Sequence, residues 1–476
     1  MAKVLLIDPP GFNNVGIGRI LGSFGSNKAN QMWPPYDLQI MAGYCKKNNH
    51  EFHIIDSNNL KMDFNDVKNE IENHKPDWVI YLTCFPTFLL DAKVADSAKA
   101  VNKNIHTACM SLSIMSVQDA DKKLEQLLNL DYIIWGEPEI PLMKLINGEK
   151  PETVNGLYFR DDTGKIIFTG EADKPKKLDE LGVPIHYDLP NKIYSCPISI
   201  KKPMTIVNCS RGCSNWCVHC QAGAFQRSVR YRSVENVLEE LREIKKLGIR
   251  EIKFYDCSLP TNRRFAMELC DAMIKEKFNF TWNCNSRAEM LDEEMIAKMK
   301  LAGCHTIEIG CESSVDEILK NMRKNETAEQ IETAVKLVKK SGLRVLMYLT
   351  FGLEGETKET MKQTFDFVKK LKPEFVTFGI VVPAPGTPFY ETLAGKGQLI
   401  DKDLEWLDPN ALPSFKYPDL HPEEILSFTR NAYRTYYFSP SYILRRMLKL
   451  RTFQEFASTV SGALSVFTRY FIERTK

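Results

Sequence analysis

The sequence predicts an α/β protein built from an N-terminal doubly wound, Rossmann-like domain, a partial (β/α)6 TIM-like barrel and a helical C-terminal region. Three observations carry this. Short apolar runs alternate with helix-period stretches over the first 150 residues, and a second alternating series runs from about 201 to 398. From about Leu399 the strand rhythm stops. Near-continuous apolar strands separated by amphipathic helices require cover on both sheet faces, which is the pattern of parallel sheets. The chain divides accordingly into 1–150, a hairpin and linker over 151–200, a barrel over 201–398 and a tail over 399–476.

In the first part, strands are expected at Val4 to Asp8, Phe52 to Asp56, Trp78 to Thr83, His106 to Met110 and Tyr132 to Gly136. Helices are expected at Leu38 to Asn48, Phe64 to His74, Ala92 to Asn102, Ala120 to Leu128 and Pro141 to Ile146. Ligands of doubly wound sheets sit beyond the carboxyl ends of the strands. Those ends carry Asp8-Pro9-Pro10-Gly11, Thr83-Cys84-Phe85-Pro86, Met110-Ser111 and Gly136-Glu137-Pro138-Glu139, small, bent and polar loops suited to wrapping a large cofactor. A hairpin follows over Leu157 to Phe168, turned at Asp162-Thr163-Gly164.

The second series places strands at Met204 to Asn208, Glu251 to Asp256, Phe278 to Asn285, Thr306 to Cys311, Arg344 to Gly352 and Phe375 to Pro383. Helical stretches follow them, as in Ser233 to Leu247 with a serine N-cap and Thr327 to Ser341 ending at Gly342. Such a barrel works at the carboxyl ends of its strands. The cysteine-rich run Cys209 to Cys220 follows the first of them.

Composition narrows the class. A net charge of +2 provides no global field for nucleic acid, and 43% hydrophobic residues suffice for several cores. The Met1 start leads at once into a strand with no signal-peptide pattern, and 13 cysteines point to reduced thiols and metal ligation in a cytosol. Seven of these, Cys45, Cys84, Cys109, Cys270, Cys284, Cys304 and Cys311, lie in apolar segments and are expected as small buried hydrophobes.

The spacing Cys213-x3-Cys217-x2-Cys220 is the strongest chemical signal. Three thiolates on one tight loop hold three irons of a [4Fe–4S] cube and leave the fourth open for chemistry. Cys209 keeps a second reading alive, in which four cysteines close a structural zinc or iron–sulfur site in a non-catalytic binding protein.

With Ser210-Arg211-Gly212 ahead of it, the loop resembles that of the cobalamin-binding radical S-adenosylmethionine (SAM) enzymes. Phe254-Tyr255-Asp256, Trp282 to Arg287, Gly303-Cys304, Ile309 to Ser313, Thr350 to Thr357 and Pro383 to Thr387 are similar to that family's barrel motifs in order and spacing. Trp33-Pro34-Pro35, Gly136-Glu137 and the basic tail look most like the branch containing the anaerobic Mg-protoporphyrin IX monomethyl ester cyclase and hopanoid- and lipid-modifying members. The resemblance implies a [4Fe–4S] cluster on Cys213, Cys217 and Cys220, SAM on its open iron, and cobalamin in the N-terminal domain. It also implies roles for single residues. Asp256 or neighbouring carbonyls would receive the SAM amino group, Arg287 its carboxylate or ribose, and Glu312 and Ser313 the ribose hydroxyls. Gly352 and Gly355 would admit the adenine, on which His219, where the family commonly has an aromatic residue, would stack. Pro9, Pro10, Trp33, Pro35, Thr83, Ser111, Gly136 and Glu137 would surround the corrinoid.

One departure bears on that corrinoid. The N-terminal domain lacks Asp-x-His-x-x-Gly, and none of His50, His53, His74 or His106 follows the first strand. Cobalamin would therefore be held without a histidine below cobalt, or the domain has lost it. The implied reaction is functionalisation of an unactivated carbon of an apolar, lipid, isoprenoid or porphyrin-like substrate, C-methylation first and radical ring formation or oxidative cyclisation second, with flavodoxin or ferredoxin as reductant. Finally, Arg430, Arg434, Arg445, Arg446, Lys449, Arg451, Arg469, Arg474 and Lys476 face only Glu455 and Glu473 in an aromatic-rich tail. Such a tail either packs its rings on the barrel or lies on an anionic membrane surface, peripheral to a cytoplasmic protein. No stretch is apolar enough to span a bilayer.

Overall fold

A computed structural model describes residues 1–12, 16–26, 31–400, 412–450 and 453–468. Arg451, Arg469, Tyr470, Phe471, Glu473, Arg474 and Lys476 of the basic tail lie outside them.

The first sheet has strands β1 (Lys3–Asp8), β4 (Glu51–Asp56), β5 (Trp78–Leu82), β6 (His106–Met110), β7 (Tyr132–Ile134), β8 (Leu157–Arg160) and β9 (Ile166–Phe168), in the order β4-β1-β5-β6-β7-β8-β9. The first five are parallel and the last two antiparallel, so the hairpin extends this sheet. Apolar residues of both faces are buried, Leu6, Ile80 and Ala108 on one side and Leu5, Val79 and Cys109 on the other. The seven cysteines expected as buried hydrophobes are all buried.

A small hairpin, β2 (Ile17–Ile20) and β3 (Ser23–Ser26), rises from the carboxyl end of β1. Its anchor is ionic. Arg19, almost wholly buried, pairs with Asp8 (3.1 Å) and Asp91 (2.6 Å) and donates to the Pro9 and Pro10 carbonyls (3.1 and 3.4 Å). Asp91 also accepts from the hydroxyls of Thr83 (3.0 Å) and Thr87 (2.6 Å).

The second sheet is wholly parallel, in the order β10 (Met204–Val207), β13 (Glu251–Phe254), β14 (Thr281–Ser286), β15 (Cys304–Glu312), β16 (Arg344–Phe351), β17 (Phe375–Ile380). This is the six-stranded partial barrel. Two of its long helices begin on side-chain caps: Ser233 accepts from the Asn236 amide, and Thr327 forms a reciprocal box with Gln330. Between β10 and β13, β11 (Ser210–Arg211) and β12 (Arg230–Tyr231) form a two-residue antiparallel ladder.

An open barrel leaves an edge strand with unpaired amides and carbonyls, a site for aberrant pairing. The tail helix Pro422–Tyr437 covers it with tyrosines. The Tyr437 hydroxyl accepts from the Val376 amide (2.8 Å) and donates to the Val376 carbonyl (2.6 Å), and the Tyr433 hydroxyl accepts from the Phe378 amide (3.1 Å). The packing half of the tail expectation thus holds for this helix. Two more helices, Pro440–Lys449 and Phe453–Phe467, follow. No helix among the described residues is long and apolar enough to cross a membrane.

Candidate active site

The cysteine loop leaves β11 through Gly212, at φ +96°, where a Cβ would stand 2.3 Å from the Ser228 carbonyl oxygen. Only glycine fits that backbone and that approach. The loop is then pinned by the Cys213 amide to the Gln226 carbonyl (2.9 Å), the Val218 amide to the Met322 carbonyl (3.1 Å) and the Cys220 amide to the Cys217 carbonyl (3.1 Å). Cys220 opens the helix Gln221–Phe225. Cys213, Cys217 and Cys220 are free, half-buried thiols on one cavity of about 750 Å³.

Cys209 is placed differently. It is fully buried in the barrel core, off the cavity, and its amide donates to the Asp256 carboxylate (3.1 Å). Two further thiols reach the cavity: Cys196, which is buried, and Cys257, just past the end of β13 beside Cys213. The Cys257 hydrogen bond and the Asn215 amide hold the Cys213 thiol down at about 6, whereas burial pushes Cys217 up to about 11. Cys257 escaped the sequence reading; its position directly after Asp256 at a strand end was the available signal.

Of the other expected site residues, Arg287, Glu312, His219 and Trp33 share this cavity with the thiols. Glu312 sits at φ +63° in a bulge between β15 and β16 and accepts from the Thr350 hydroxyl (2.6 Å). Arg287 pairs with Glu289 and Glu326 and donates to the Lys324 carbonyl. Burial lowers the His219 pKa, so the ring is neutral, and its Nδ1 is buried with no partner. Trp33 stands edge-on to Tyr255, ring centres 5.1 Å apart. Lys324, unforeseen, adds a cation to the same wall.

The remaining expected residues lie off the cavity wall. Asp256 accepts from the Ser210 hydroxyl (2.5 Å) as well as the Cys209 amide, and burial raises its pKa to about 6; its carboxylate ties down the start of the cysteine loop. Ser313 is buried against Thr364 (3.2 Å). Gly352, at φ +84°, donates its amide to Glu356 (2.6 Å), and a Cβ there would press on Phe415. Pro9, Pro10 and Thr83 belong to the Arg19–Asp91 assembly, and Pro35 precedes the helix Tyr36–Lys47. Ser111 contacts Ser113 (3.2 Å), and Gly136, at φ +119°, abuts Ala172.

Glu137 has a bridging position. Arg211, buried between β10 and the cysteines, pairs with Glu137 (2.9 Å) and with Glu139, and Arg230 also pairs with Glu137. Burial opposes the charge on Arg211, but Glu139 and Glu137 more than offset it and hold the guanidinium protonated. The N-terminal domain thereby grips both strands of the ladder that carries the cysteine loop. It also supplies Gly18, Ile20, Ser23, Gln31 and Trp33 to the cavity. Its four histidines are turned to other partners: His50 to Asn147 (2.9 Å), His53 to Asp188 (3.0 Å), His74 to the Glu70 carbonyl (2.8 Å), and His106 onto Trp78. A surface groove of about 870 Å³ between Lys46, Pro184 and Arg242 has none of these thiols. We place the site at the cysteine cavity because the reactive groups converge there.

Residues 207–368 match the radical SAM superfamily model. Along 453 residues the chain is 28% identical to an uncharacterized methyltransferase of Pyrococcus horikoshii, covering 93% of this chain and 94% of that one. It is 24% identical to the anaerobic magnesium-protoporphyrin IX monomethyl ester cyclase of Rubrivivax gelatinosus over 93% and 80% of the two chains. Its fold matches the radical SAM methyltransferase TsrM of Kitasatospora setae, a structure with cobalamin and a [4Fe–4S] cluster bound, at a TM-score of 0.70, 14% identity, and 98% and 99% coverage.

Proposed function

We propose that this radical SAM enzyme C-methylates an unactivated carbon of an apolar substrate, with cobalamin in the cavity between its two α/β domains. The observation that carries the reading is that three free thiols, Cys213, Cys217 and Cys220, share one cavity with Arg287, Glu312 and Lys324 on the barrel side and Trp33 and Gln31 on the other. The donor set fits the cluster: three soft thiolates on one loop, with Cys209 buried in the core and Cys257 arriving from a different strand end. It also fits a corrinoid without a protein histidine below cobalt, since the domain's histidines have other partners. When bound, the reduced cluster supplies the electron that splits SAM to a 5′-deoxyadenosyl radical, and the corrinoid supplies the methyl group.

The chain's own residues bind, orient and exclude water. Glu312, aimed by its bulge and its bond from Thr350, accepts from ribose hydroxyls. Arg287 and Lys324 face the SAM carboxylate, and the neutral His219 ring stacks on adenine, leaving Nδ1 as a donor or acceptor. Asp256, Arg211 and Glu137 act through the backbone of the cysteine loop as positioning residues. In this reading 1–150 is the corrinoid unit, 201–398 the radical-generating barrel and 399–476 the cap, with a flavodoxin or ferredoxin as reductant. Anaerobically reconstituted protein tests it: about four irons per chain and a corrinoid spectrum that survives desalting are expected, and a zinc-filled site or loss of all corrinoid overturns it.

Radical cyclisation is the second reading, favoured by the full-length likeness to the cyclase. Membrane-surface association is favoured by the tail. Helix Pro440–Lys449 exposes Ile443, Leu444, Met447 and Leu448, and helix Phe453–Phe467 exposes Phe456, Val460, Leu464 and Phe467, while Val466 and Ser465 reach the cavity. Patches of this kind mark interaction surfaces. Co-sedimentation with phosphatidylglycerol vesicles is expected for the full chain and reduced by Leu444→Glu with Leu448→Glu; an unchanged bound fraction contradicts it.

A further inference from the structure

The barrel interior holds a charged assembly that the reaction above does not use. Lys253 on β13 and Glu308 on β15, both 2% exposed, form an ion pair. Lys253 also donates to the Asn285 side-chain oxygen (2.9 Å) on β14, and the Tyr348 hydroxyl on β16 donates to the second Glu308 oxygen (2.5 Å). Four adjacent strands thus each contribute one group to a single point. Asn283, on the same inner face as Asn285 and in register with Lys253, is fully buried with neither amide atom bonded. Two charges taken from water seldom repay their desolvation, and apolar residues of equal volume would pack as well. The assembly therefore calls for an explanation beyond stability.

Its placement supplies one. Asn285, Glu308 and Tyr348 line the same cavity as the three cysteines, and the wall around them is apolar: Ile198, Leu346, Phe375, Val376, Ile380 and Val382. The cavity is polar at the carboxyl end of β15, where Glu312 stands with Arg287, Lys324 and the cysteines, and polar again at Glu308, further back on the same strand, with this apolar wall beside it. Glu308 receives one hydrogen bond on each oxygen from Lys253 and Tyr348, and a carboxylate oxygen accepts two. The unused capacity is acceptor capacity. We propose that Glu308, set by Lys253 and Tyr348, anchors the substrate through a hydroxyl or amino group, so that the substrate is an amphiphile with a hydrogen-bond-donating head and an apolar body, and that the same carboxylate rejects an acid head group.

The proposal rests on the cavity being the substrate site of the reaction above. It is tested with the reconstituted, unreduced full chain saturated with SAM, so that Arg287 and Lys324 are occupied, and three probes of equal length, 1-decanol, decylamine and decanoate, by the change in tryptophan fluorescence, since Trp33 lines the cavity. The expected order is decylamine and decanol at least roughly tenfold tighter than decanoate, one favourable charged or neutral hydrogen bond against one repulsion. Glu308→Gln should bring the three within about threefold, and Tyr348→Phe should weaken decanol several-fold. Because Glu308→Gln leaves Lys253 buried and unpaired, the double variant Lys253→Met with Glu308→Gln serves if the single one does not fold, with the same loss of preference expected. Decanoate binding as tightly as decanol in the wild type, or an unchanged order in the folded variant, overturns the inference. Iron content, corrinoid absorbance and SAM cleavage measured on the same sample report on the functional reading separately. Intact cofactors with no head-group preference overturn the anchor alone, whereas a clear preference without cluster or corrinoid overturns the reaction and leaves the anchor.

Discussion

The carboxyl ends of the two parallel sheets are built alike and finished differently. In the N-terminal sheet the strand-end groups satisfy one another: Arg19 joins Asp8 to Asp91, and Thr83 and Thr87 complete Asp91. In the barrel, the corresponding ends present Cys257, Arg287, Glu312 and the cysteine loop to a cavity. Polar groups closed on each other make a rigid floor, and polar groups left facing a cavity make a site. In the proposed function the reacting atoms belong to the barrel and the holding surface to the N-terminal domain.

Breaking the barrel side should have the largest effect. Cys213→Ala removes one of three cluster thiolates from a half-buried loop outside the barrel core, so iron content by metal analysis should fall from about four per chain to near zero while the fold by circular dichroism persists. Cys209→Ala should keep its iron and lose about 1–2 kcal/mol of stability from a buried thiol. The reverse result, iron held by Cys209, would restore the closed-site reading.

Breaking the N-terminal side should cost stability instead. Arg19→Ala leaves Asp8 and Asp91 buried beside each other without their cation, an expected loss of about 3–5 kcal/mol by denaturant unfolding. A shift below about 1 kcal/mol would mean that the assembly is hydrated and open like the barrel's.

The barrel end also carries a pH signature. Burial raises Glu356, which accepts the Gly352 and Leu353 amides, from 4.5 to about 8. An acid with a raised folded pKa binds more protons folded than unfolded, so stability falls as pH rises through that window. Between pH 5 and 8 the wild type should lose up to about 4 kcal/mol from this group, and Glu356→Gln should flatten the slope. A slope retained in the variant would exclude Glu356 as its source.

The smallest effect is expected at the barrel edge. Tyr437→Phe removes both hydrogen bonds to Val376 and should cost about 1–2 kcal/mol and raise amide exchange at Val376, leaving metal content unchanged.

Much of this architecture was legible because buried parallel strands write themselves as apolar runs; the helices Phe64–His74 and Ala328–Lys340 follow from caps and period alone. The hairpin Ile17–Ser26 was not. Its turn places Leu21 and Gly22 both at positive φ, and leucine gives no warning of such a turn. The cysteine triplet, Arg287, Glu312 and His219 were legible as spaced motifs, and they line one cavity. Asp256, Ser313 and Gly352 sit in the same motifs, yet their side chains or backbone are spent on neighbours. Lys253, Glu308 and Tyr348 carry no local signal, since only the barrel register brings residues so far apart in sequence to one point.

The central claim is that the cavity at Cys213, Cys217 and Cys220 generates a radical from SAM and passes on a methyl group. The direct measurement is the product pair formed from SAM by the anaerobically reduced, cobalamin-loaded full chain. The account predicts 5′-deoxyadenosine together with S-adenosylhomocysteine, both abolished by Cys213→Ala. 5′-Deoxyadenosine without S-adenosylhomocysteine would contradict methylation, and the absence of both from a protein with its cluster intact would contradict the account as a whole.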